Sequence, residues 1–236
     1  MIKKGFTLAE VLVTLGIIGV VSAMTIPTLV RNHQKIVFVN QLRKVVSLLS
    51  QAADSAIQEE NVINLDESKF ANSANNVDKF FKKYLKIATD CGRSYTPCFA
   101  ENYKNREGSV VRNYHYAPNT VITLADGTSI ASFEYWARHA AGNDQAASEA
   151  KKKNRHGYLR IMVDLNGQQG PNIIGRDLFY MELYSDGKVA EAYNMSGEGA
   201  LGINGFKEKC IHNGQWDYLG TGCLTHIMAD GWKMDY

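Results

Sequence analysis

The most prominent pattern in the sequence is an unbroken apolar segment close to the N-terminus. Between Phe6 and Val30 the only formally charged residue is Glu10, and Leu, Val, Ile, Ala and Gly supply most of the other positions. A helix needs about 20 predominantly apolar residues to cross the hydrocarbon core of a bilayer. The pattern therefore predicts a membrane-spanning helix over residues 6–30.

The helical pattern continues beyond this segment but becomes one-sided. Apolar residues recur at alternating steps of four and three, which places them on one face of a helix. That face consists of Phe38, Leu42, Val45, Leu49, Ala52 and Ala56, widened by Val46, Ala53 and Ile57. Because Pro27 is the only helix breaker before Asn61, we predict a single helix over residues 6–60. Its first half is apolar all round, and its second half docks onto a globular head.

Residues 61–236 are predicted to form that head. Two Asp-Gly pairs, at 126–127 and 186–187, each separate two strand-like runs. Asp-Gly is a favoured two-residue hairpin turn, since both central residues need positive φ. The strands of the two hairpins are predicted at 120–125, 128–133, 179–185 and 188–193.

Three further elements complete the predicted head. Residues 78–85 have the spacing of a short amphipathic helix, and its inner side carries Phe81, Tyr84 and Leu85. Another strand is predicted at 158–165, and a closing edge strand at 232–236 after a third Asp-Gly pair. The predicted fold class is therefore α+β, with the long helix packed on an antiparallel sheet.

The four cysteines fall into two local pairs, Cys91 with Cys98 and Cys210 with Cys223. An even number outside the cytoplasm indicates disulfides, for which four cysteines allow three connectivities. We favour the local pairs because each brackets a turn-rich stretch, which gives the head two disulfide loops. Zinc binding is the alternative, but no Cys-x-x-Cys spacing is present.

Three interpretations of the N-terminus compete: a plain signal anchor, a signal peptide cleaved after Ala23, and a prepilin leader. Val21-Ser22-Ala23 offers the small residues that signal peptidase prefers, but cleavage there would discard half of the predicted helix. The run Gly5-Phe6-Thr7-Leu8-Ala9-Glu10 follows a short basic leader, residues 1–5, and an apolar run begins at once. It closely resembles the type IV prepilin motif.

This resemblance implies specific roles for four residues. A dedicated prepilin peptidase would cut after Gly5, and Phe6 would become the N-methylated terminus. Glu10 would pair with the α-amine of a neighbouring Phe6 in a fibre, and Pro27 would mark where the helix loosens on assembly. An acidic side chain costs about 2.5–3.5 kcal/mol at the centre of a spanning helix, so a plain anchor gains nothing from Glu10. A glutamate that snorkels to the surface is the alternative.

The resemblance also implies location and partners. Lys3 and Lys4 precede the apolar segment, and the positive-inside tendency places the N-terminus in the cytoplasm and the head outside. The expected protein crosses the cytoplasmic membrane once and moves into a fibre after processing. Its expected partners are the membrane, a prepilin peptidase, a fibre assembly platform and other pilin or pseudopilin subunits.

One segment of the head has a composition that suits a metal ion. Residues 164–177 combine oxygen-bearing side chains with glycines, which can wrap a hard cation such as calcium. The segment begins like an EF-hand loop but lacks the glycine of the sixth position and the closing glutamate. Some secretion pseudopilins bind calcium in a head loop. The first-choice ligands are Asp164, Asn166 and Asp177, and a turn that joins two strands is the alternative.

Other classes of function find little support. The formal net charge of +2 is almost neutral, which gives no electrostatic case for a specific nucleic-acid partner. The six histidines are scattered, and no Gly-x-Ser-x-Gly motif is present. Residues 197–202 match the dinucleotide-loop string, but no parallel βαβ unit surrounds them. We expect no enzymatic activity and no cofactor other than the calcium considered above.

These observations predict a membrane-anchored subunit of a type IV pilus or of a type II secretion-type pseudopilus. The alternative is a membrane-anchored extracytoplasmic binding protein that does not polymerise.

Overall fold

The computed structural model describes residues 7–70, 74–111, 117–137, 157–191, 210 and 222–236. They belong to two compact units, Met1–Val37 and Phe38–Tyr236. The boundary lies inside the first helix, so the second half of that helix is part of the globular unit.

Helix α1 spans Leu8–Glu60 and continues through Pro27. It ends at Asn61, which adopts the left-handed conformation with φ 53°. The amide of Asn61 donates to the carbonyl of Gln58 (3.2 Å), and the amide of Val62 donates to the carbonyl of Ile57 (3.1 Å). This pair of bonds is a Schellman motif, which satisfies the carbonyls that the last helical turn leaves open.

The apolar face predicted for the second half of α1 is confirmed. Eight of its nine residues are buried in the core of the globular unit, and Ile57 is partly buried against it. The buried residues are Phe38, Leu42, Val45, Val46, Leu49, Ala52, Ala53 and Ala56.

An antiparallel sheet of six strands forms the centre of the globular unit, in the order β1-β4-β5-β6-β7-β8. β2 and β3 pair in a separate two-stranded sheet. The strands are β1 (Ile87–Gly92), β2 (Tyr103–Lys104), β3 (Val110–Val111), β4 (Thr120–Leu124), β5 (Ser129–Ala137), β6 (Gly157–Asp164), β7 (Leu178–Tyr184) and β8 (Val189–Glu191).

The two faces of the sheet belong to different cores. Along β6, Ile161 and Val163 pack with the buried face of α1. Met162 points to the opposite face, where it packs with Phe99 and Tyr103. This alternation is the period of two that a strand imposes on its side chains, and here both sides of the strand are covered.

The predicted fold class and both predicted hairpins are confirmed. β4 and β5 flank Asp126-Gly127, and β7 and β8 flank Asp186-Gly187. The strand predicted at 158–165 is β6. The predicted end of the second hairpin, residues 192–193, lies outside the described residues.

The short helix predicted at 78–85 is present but longer, because α2 spans Ala74–Tyr84. Phe81 is fully buried, Leu85 is buried and Tyr84 is partly buried, as its spacing predicts. A 3₁₀ turn at Leu65–Glu67 precedes this helix.

The closing strand predicted at 232–236 is wrong. Helix α3 (Cys223–Ala229) comes first, and the residues after it are irregular. The amide of Trp232 donates to the carbonyl of Ile227 (2.8 Å), and Trp232 itself has a positive φ of 63°. The Asp230-Gly231 pair therefore ends a helix and does not form a hairpin turn, because the element directly before it is α3 and not a strand.

The buried face of α1 generates a stability prediction. Leu49 is fully buried in the core between α1 and the sheet. We expect Leu49→Ala to destabilise the globular unit by about 2–5 kcal/mol, because it removes buried methyl groups and leaves a cavity. The measurement is thermal unfolding of the full chain in mild detergent, followed by near-ultraviolet circular dichroism.

The matched control is Asn40→Ala, which truncates an exposed side chain of the same helix. It should leave the unfolding midpoint almost unchanged. An equal effect of the two substitutions would contradict the view that this face anchors the sheet.

Candidate functional site: the processing and assembly segment

Thr7 and Glu10 hold the N-terminus of α1 together. The carboxylate of Glu10 accepts hydrogen bonds from the amide and the hydroxyl of Thr7, each at 2.8 Å. In return, the hydroxyl oxygen of Thr7 accepts a bond from the amide of Glu10 (3.3 Å). This reciprocal arrangement is a capping box, which satisfies two amides that the first helical turn leaves open.

The capping box gives Glu10 a role within its own chain, in addition to the assembly role that the resemblance implies. Its sequence signal is Thr-x-x-Glu at residues 7–10. The carboxylate also lies at the positive end of the helix dipole, where a negative charge is stabilised. Gly5 and Phe6, the predicted processing residues, lie outside the described residues.

The surface that follows Glu10 along α1 is apolar and exposed. Its large side chains have between 41% and 73% of their area accessible from Val11 to Val30. Within the described residues, α1 is the one helix long and apolar enough to span a membrane. The 20 residues Val11–Val30 measure about 30 Å along the helix, which matches the hydrocarbon core. If these 20 residues fill the core, Glu10 lies at its edge.

Pro27 lies inside α1 and weakens it locally. Proline has no amide hydrogen, so the carbonyl of Ala23 loses its intrahelical donor. Two residues earlier, the hydroxyl of Thr25 donates to the carbonyl of Val21 (2.9 Å), a type of bond that slightly destabilises a helix. Pro27 and Thr25 thus both weaken the same turn of α1, and loosening there on assembly stays a prediction.

The proposed calcium ligands lie in and beside the loop that joins β6 to β7. Asp164 and Asp177 are fully buried. Asp164 accepts hydrogen bonds from the hydroxyl of Tyr103 and from the amide of Asn166. Asp177 accepts bonds from the amides of Asn172 (2.7 Å) and Ile173 (2.6 Å). Both carboxyl groups therefore organise the loop's own main chain.

Burial changes the acidity of both groups. It raises the pKa of Asp164 to about 8, helped by the charge of Asp177 and opposed by the hydrogen bond from Tyr103. It also raises the pKa of Asp177 to about 6, against the opposing hydrogen bonds from the main chain. Within the described ranges, no three His, Cys, Asp or Glu side chains group where they could hold a metal. Calcium binding by Asp164, Asn166 and Asp177 stays a prediction.

Two disulfides tie the globular unit, Cys91 to Cys98 and Cys210 to Cys223. They are the local pairs that the sequence favours. No described cysteine is free.

Glu191 was missed by sequence reasoning. It lies on β8, and its buried carboxylate accepts bonds from the amides of Gly222 (2.5 Å) and Thr225 (2.8 Å) at the start of α3. Burial raises the pKa of Glu191 to about 7, although these amide bonds oppose the shift. Nothing in its local sequence distinguishes it from an exposed strand glutamate.

Sequence reasoning also missed the contacts of Tyr236. Its hydroxyl donates to the carbonyl of Gly175 (2.6 Å), and the guanidinium of Arg106 lies 4.1 Å from its ring centre. Burial raises the pKa of the Tyr236 hydroxyl. Arg106 in turn donates to the carbonyl of Cys210, so this aromatic contact lies beside the second disulfide.

Comparison with known proteins identifies the N-terminal segment. Residues 1–26 match the family model of the prokaryotic N-terminal methylation motif, which is the signature of prepilin-type cleavage and methylation. No curated protein and no solved structure matches the chain. The motif supports a membrane-anchored subunit of the type IV pilin or pseudopilin kind, and it indicates a structural protein. The α+β architecture is consistent with a pilin-like fold.

The three buried carboxyl groups predict an unusual pH dependence of stability. A carboxyl group whose pKa is higher in the folded state binds more protons when folded, so its contribution is present at low pH and is lost as pH rises. For Asp164, Asp177 and Glu191 the loss runs from about pH 4 to about 8. We expect the unfolding midpoint of the full chain to fall between pH 5 and 8.

The substitution Asp164→Asn should flatten this decline, because it removes the group with the largest shift. Asp230→Asn, which changes an exposed carboxyl, should leave the slope intact. Calorimetry at several pH values distinguishes these cases. A midpoint that stays constant or rises with pH would show that the buried carboxyl groups do not control stability.

Proposed function

We propose that the chain is a subunit of a type IV pilus or of a type II secretion-type pseudopilus. A prepilin peptidase cuts between Gly5 and Phe6 and methylates the new terminus, and an assembly platform then moves the subunit into a helical fibre. The observation that carries this proposal is the methylation motif at residues 1–26, which runs into an exposed apolar helix of spanning length that begins at Leu8.

The positions of the anchor, the cleavage site and Glu10 along the chain support this sequence of steps. Before processing, the apolar half of α1 holds the precursor in the cytoplasmic membrane, with residues 1–5 inside and the globular unit outside. Glycine at the cut leaves the peptide bond sterically open. Cleavage removes Lys3 and Lys4, creates an α-amine at Phe6, and leaves Glu10 only four residues from that amine.

Glu10 gives the fibre its register in this proposal. The carboxylate at the edge of the apolar helix pairs with the α-amine of a neighbouring Phe6, which compensates two charges inside an apolar bundle. The same contact repeats from subunit to subunit without closing on itself. A heterologous contact of that kind generates a filament.

Processing is tested by intact-mass and N-terminal analysis of the chain recovered from membranes that contain a prepilin peptidase. We expect a protein that begins at N-methylated Phe6. The same preparation without the peptidase is the control and should begin at Met1. A chain that still begins at Met1 with the peptidase present, or one that begins at Met24, would refute the proposal.

Assembly is tested by the substitution Glu10→Ala. We expect a several-fold loss of incorporation into fibres with unchanged amounts in the membrane, since a charge-assisted contact is worth roughly 1.5–3 kcal/mol and Glu10 exchanges its capping bonds for it. The control is Thr14→Ala, whose hydroxyl, among the described residues, bonds to the carbonyl of Val11 in its own helix. Normal incorporation of Glu10→Ala would refute the register role of Glu10, whereas an unsubstituted chain that never enters fibres would favour an anchored binding protein that does not polymerise.

A further inference from the structure

The two disulfides of the globular unit differ in how well their sulfur atoms are covered. Cys91 of the first disulfide is only partly buried, and it lies on β1, an outer strand of the described sheet with four exposed residues out of six. Cys210 and Cys223 of the second disulfide are both fully buried. Because a thiol exchanges with a disulfide only where it can reach a sulfur atom, the two pairs should differ in reactivity.

Two segments that are distant in the chain cover the second disulfide. In the loop between β6 and β7, the backbone at Gly175 is so close that a Cβ atom there would lie 2.5 Å from the sulfur of Cys223. In the turn between β2 and β3, a guanidinium nitrogen of Arg106 lies 3.5 Å from the sulfur of Cys210 and donates to the carbonyl of the same residue. A thiol therefore reaches either sulfur atom only after part of this cover moves.

Tyr236 contacts both covering segments. Its hydroxyl donates to the carbonyl of Gly175 (2.6 Å), and its ring centre lies 4.1 Å from the guanidinium carbon of Arg106. A buried hydrogen bond and a cation–π contact both stabilise the arrangement in which they form. One side chain thus holds the two segments against the second disulfide.

Tyr236 belongs to a segment after α3, residues 230–236, that is itself fixed to the globular unit. The ring of Trp232 lies 5.8 Å from the guanidinium of Arg43 on α1. The carboxylate of Asp235 lies 2.9 Å from the imidazole of His226 on α3. These contacts are few and lie within seven positions of the chain, which are the conditions under which a segment opens locally while the rest of a protein stays folded.

We propose that residues 230–236 form a clamp over the second disulfide, and that this disulfide forms and breaks only while the clamp is open. Reduction by a dithiol then follows local opening. A thiolate of the dithiol attacks one cysteine sulfur and the S–S bond breaks, and the second thiol of the reductant then displaces the other partner of the mixed disulfide. Two cysteine thiols and an oxidised dithiol result. Formation is the reverse reaction, with a disulfide-bearing oxidant.

The clamp imposes an order on the maturation of the globular unit. The second disulfide is made before residues 230–236 close over it, whereas the first can be made or broken in the folded protein. This order is a property of the globular unit and does not depend on the proposed fibre.

The test reduces the full chain in mild detergent with dithiothreitol, alkylates the freed thiols at successive times, and assigns them to each pair by peptide mass spectrometry. We expect the first disulfide to be reduced about tenfold faster than the second, since a local opening must precede reduction of the second. Tyr236→Ala should accelerate reduction of the second disulfide about tenfold, because it removes one buried hydrogen bond and one cation–π contact. Arg106→Gln should act in the same direction, and both variants should leave the first disulfide unchanged.

The matched control is Leu49→Ala, which weakens the core of the same unit without changing a residue of the clamp. At a temperature where circular dichroism shows this variant to be folded, it should leave the rate for the second disulfide unchanged. An equal acceleration by Leu49→Ala and Tyr236→Ala would overturn the clamp, because it would show that the disulfide is reached by global unfolding. Equal rates for the two disulfides in the unsubstituted chain would overturn it as well, and so would a failure of both Tyr236→Ala and Arg106→Gln to accelerate reduction.

Discussion

The packing of one face of α1 against the sheet is the interaction on which the globular unit depends. Burial of apolar area contributes about 25 cal/mol per Å², whereas an exposed ion pair such as Lys44 with Asp126 contributes little. The same helix must carry apolar residues on all sides over its first half and on one side over its second. One unbroken helix therefore supplies both the apolar segment of spanning length and one buried face of the core.

The two Asp-Gly turns of the sheet have contacts with this helix, and at one of them the glycine has a second purpose. Gly187 has a φ of 80°, as its turn requires, and a Cβ atom there would lie 2.9 Å from the carboxylate of Asp54. Ala53 is its next neighbour, at 3.5 Å. The small residues at this end of the face thus permit the turn between β7 and β8 to approach the helix closely. At the other hairpin, Asp126 caps its own turn and also pairs with Lys44.

The parts of the fold that sequence predicts are those fixed by local chemistry. The stripe from Phe38 to Ala56 follows from helical periodicity, and the two hairpins follow from turns that need positive φ. The Asp230-Gly231 pair has the same local chemistry but ends a helix, because its role depends on what precedes it. Glu191 could not be found at all, since its burial is produced by a helix start 31 residues away in the chain.

The motif residues of the candidate site could be predicted because they are local in sequence. The sequence prediction left out some of the contacts that these residues make. Gly5, Phe6 and Glu10 lie within one short motif, so its resemblance to the prepilin motif is enough to identify them. The capping box between Thr7 and Glu10 is equally local and has its own signal, Thr-x-x-Glu. Asp164 shows the reverse case: the sequence located the loop, but one of the hydrogen bonds that this carboxyl group accepts comes from Tyr103, 61 residues away.

The capping box changes how the energy of assembly through Glu10 should be understood. In the isolated subunit the carboxylate already accepts two hydrogen bonds from Thr7, so it does not enter the proposed fibre as an uncompensated charge. The free energy gained at each step is then the difference between pairing with a neighbouring amine and capping its own helix. That difference is smaller than the full charge pair, because bonds are exchanged and not only formed. In the proposed fibre, small increments of this kind would add up by repetition, and a subunit outside the fibre keeps its carboxylate hydrogen-bonded.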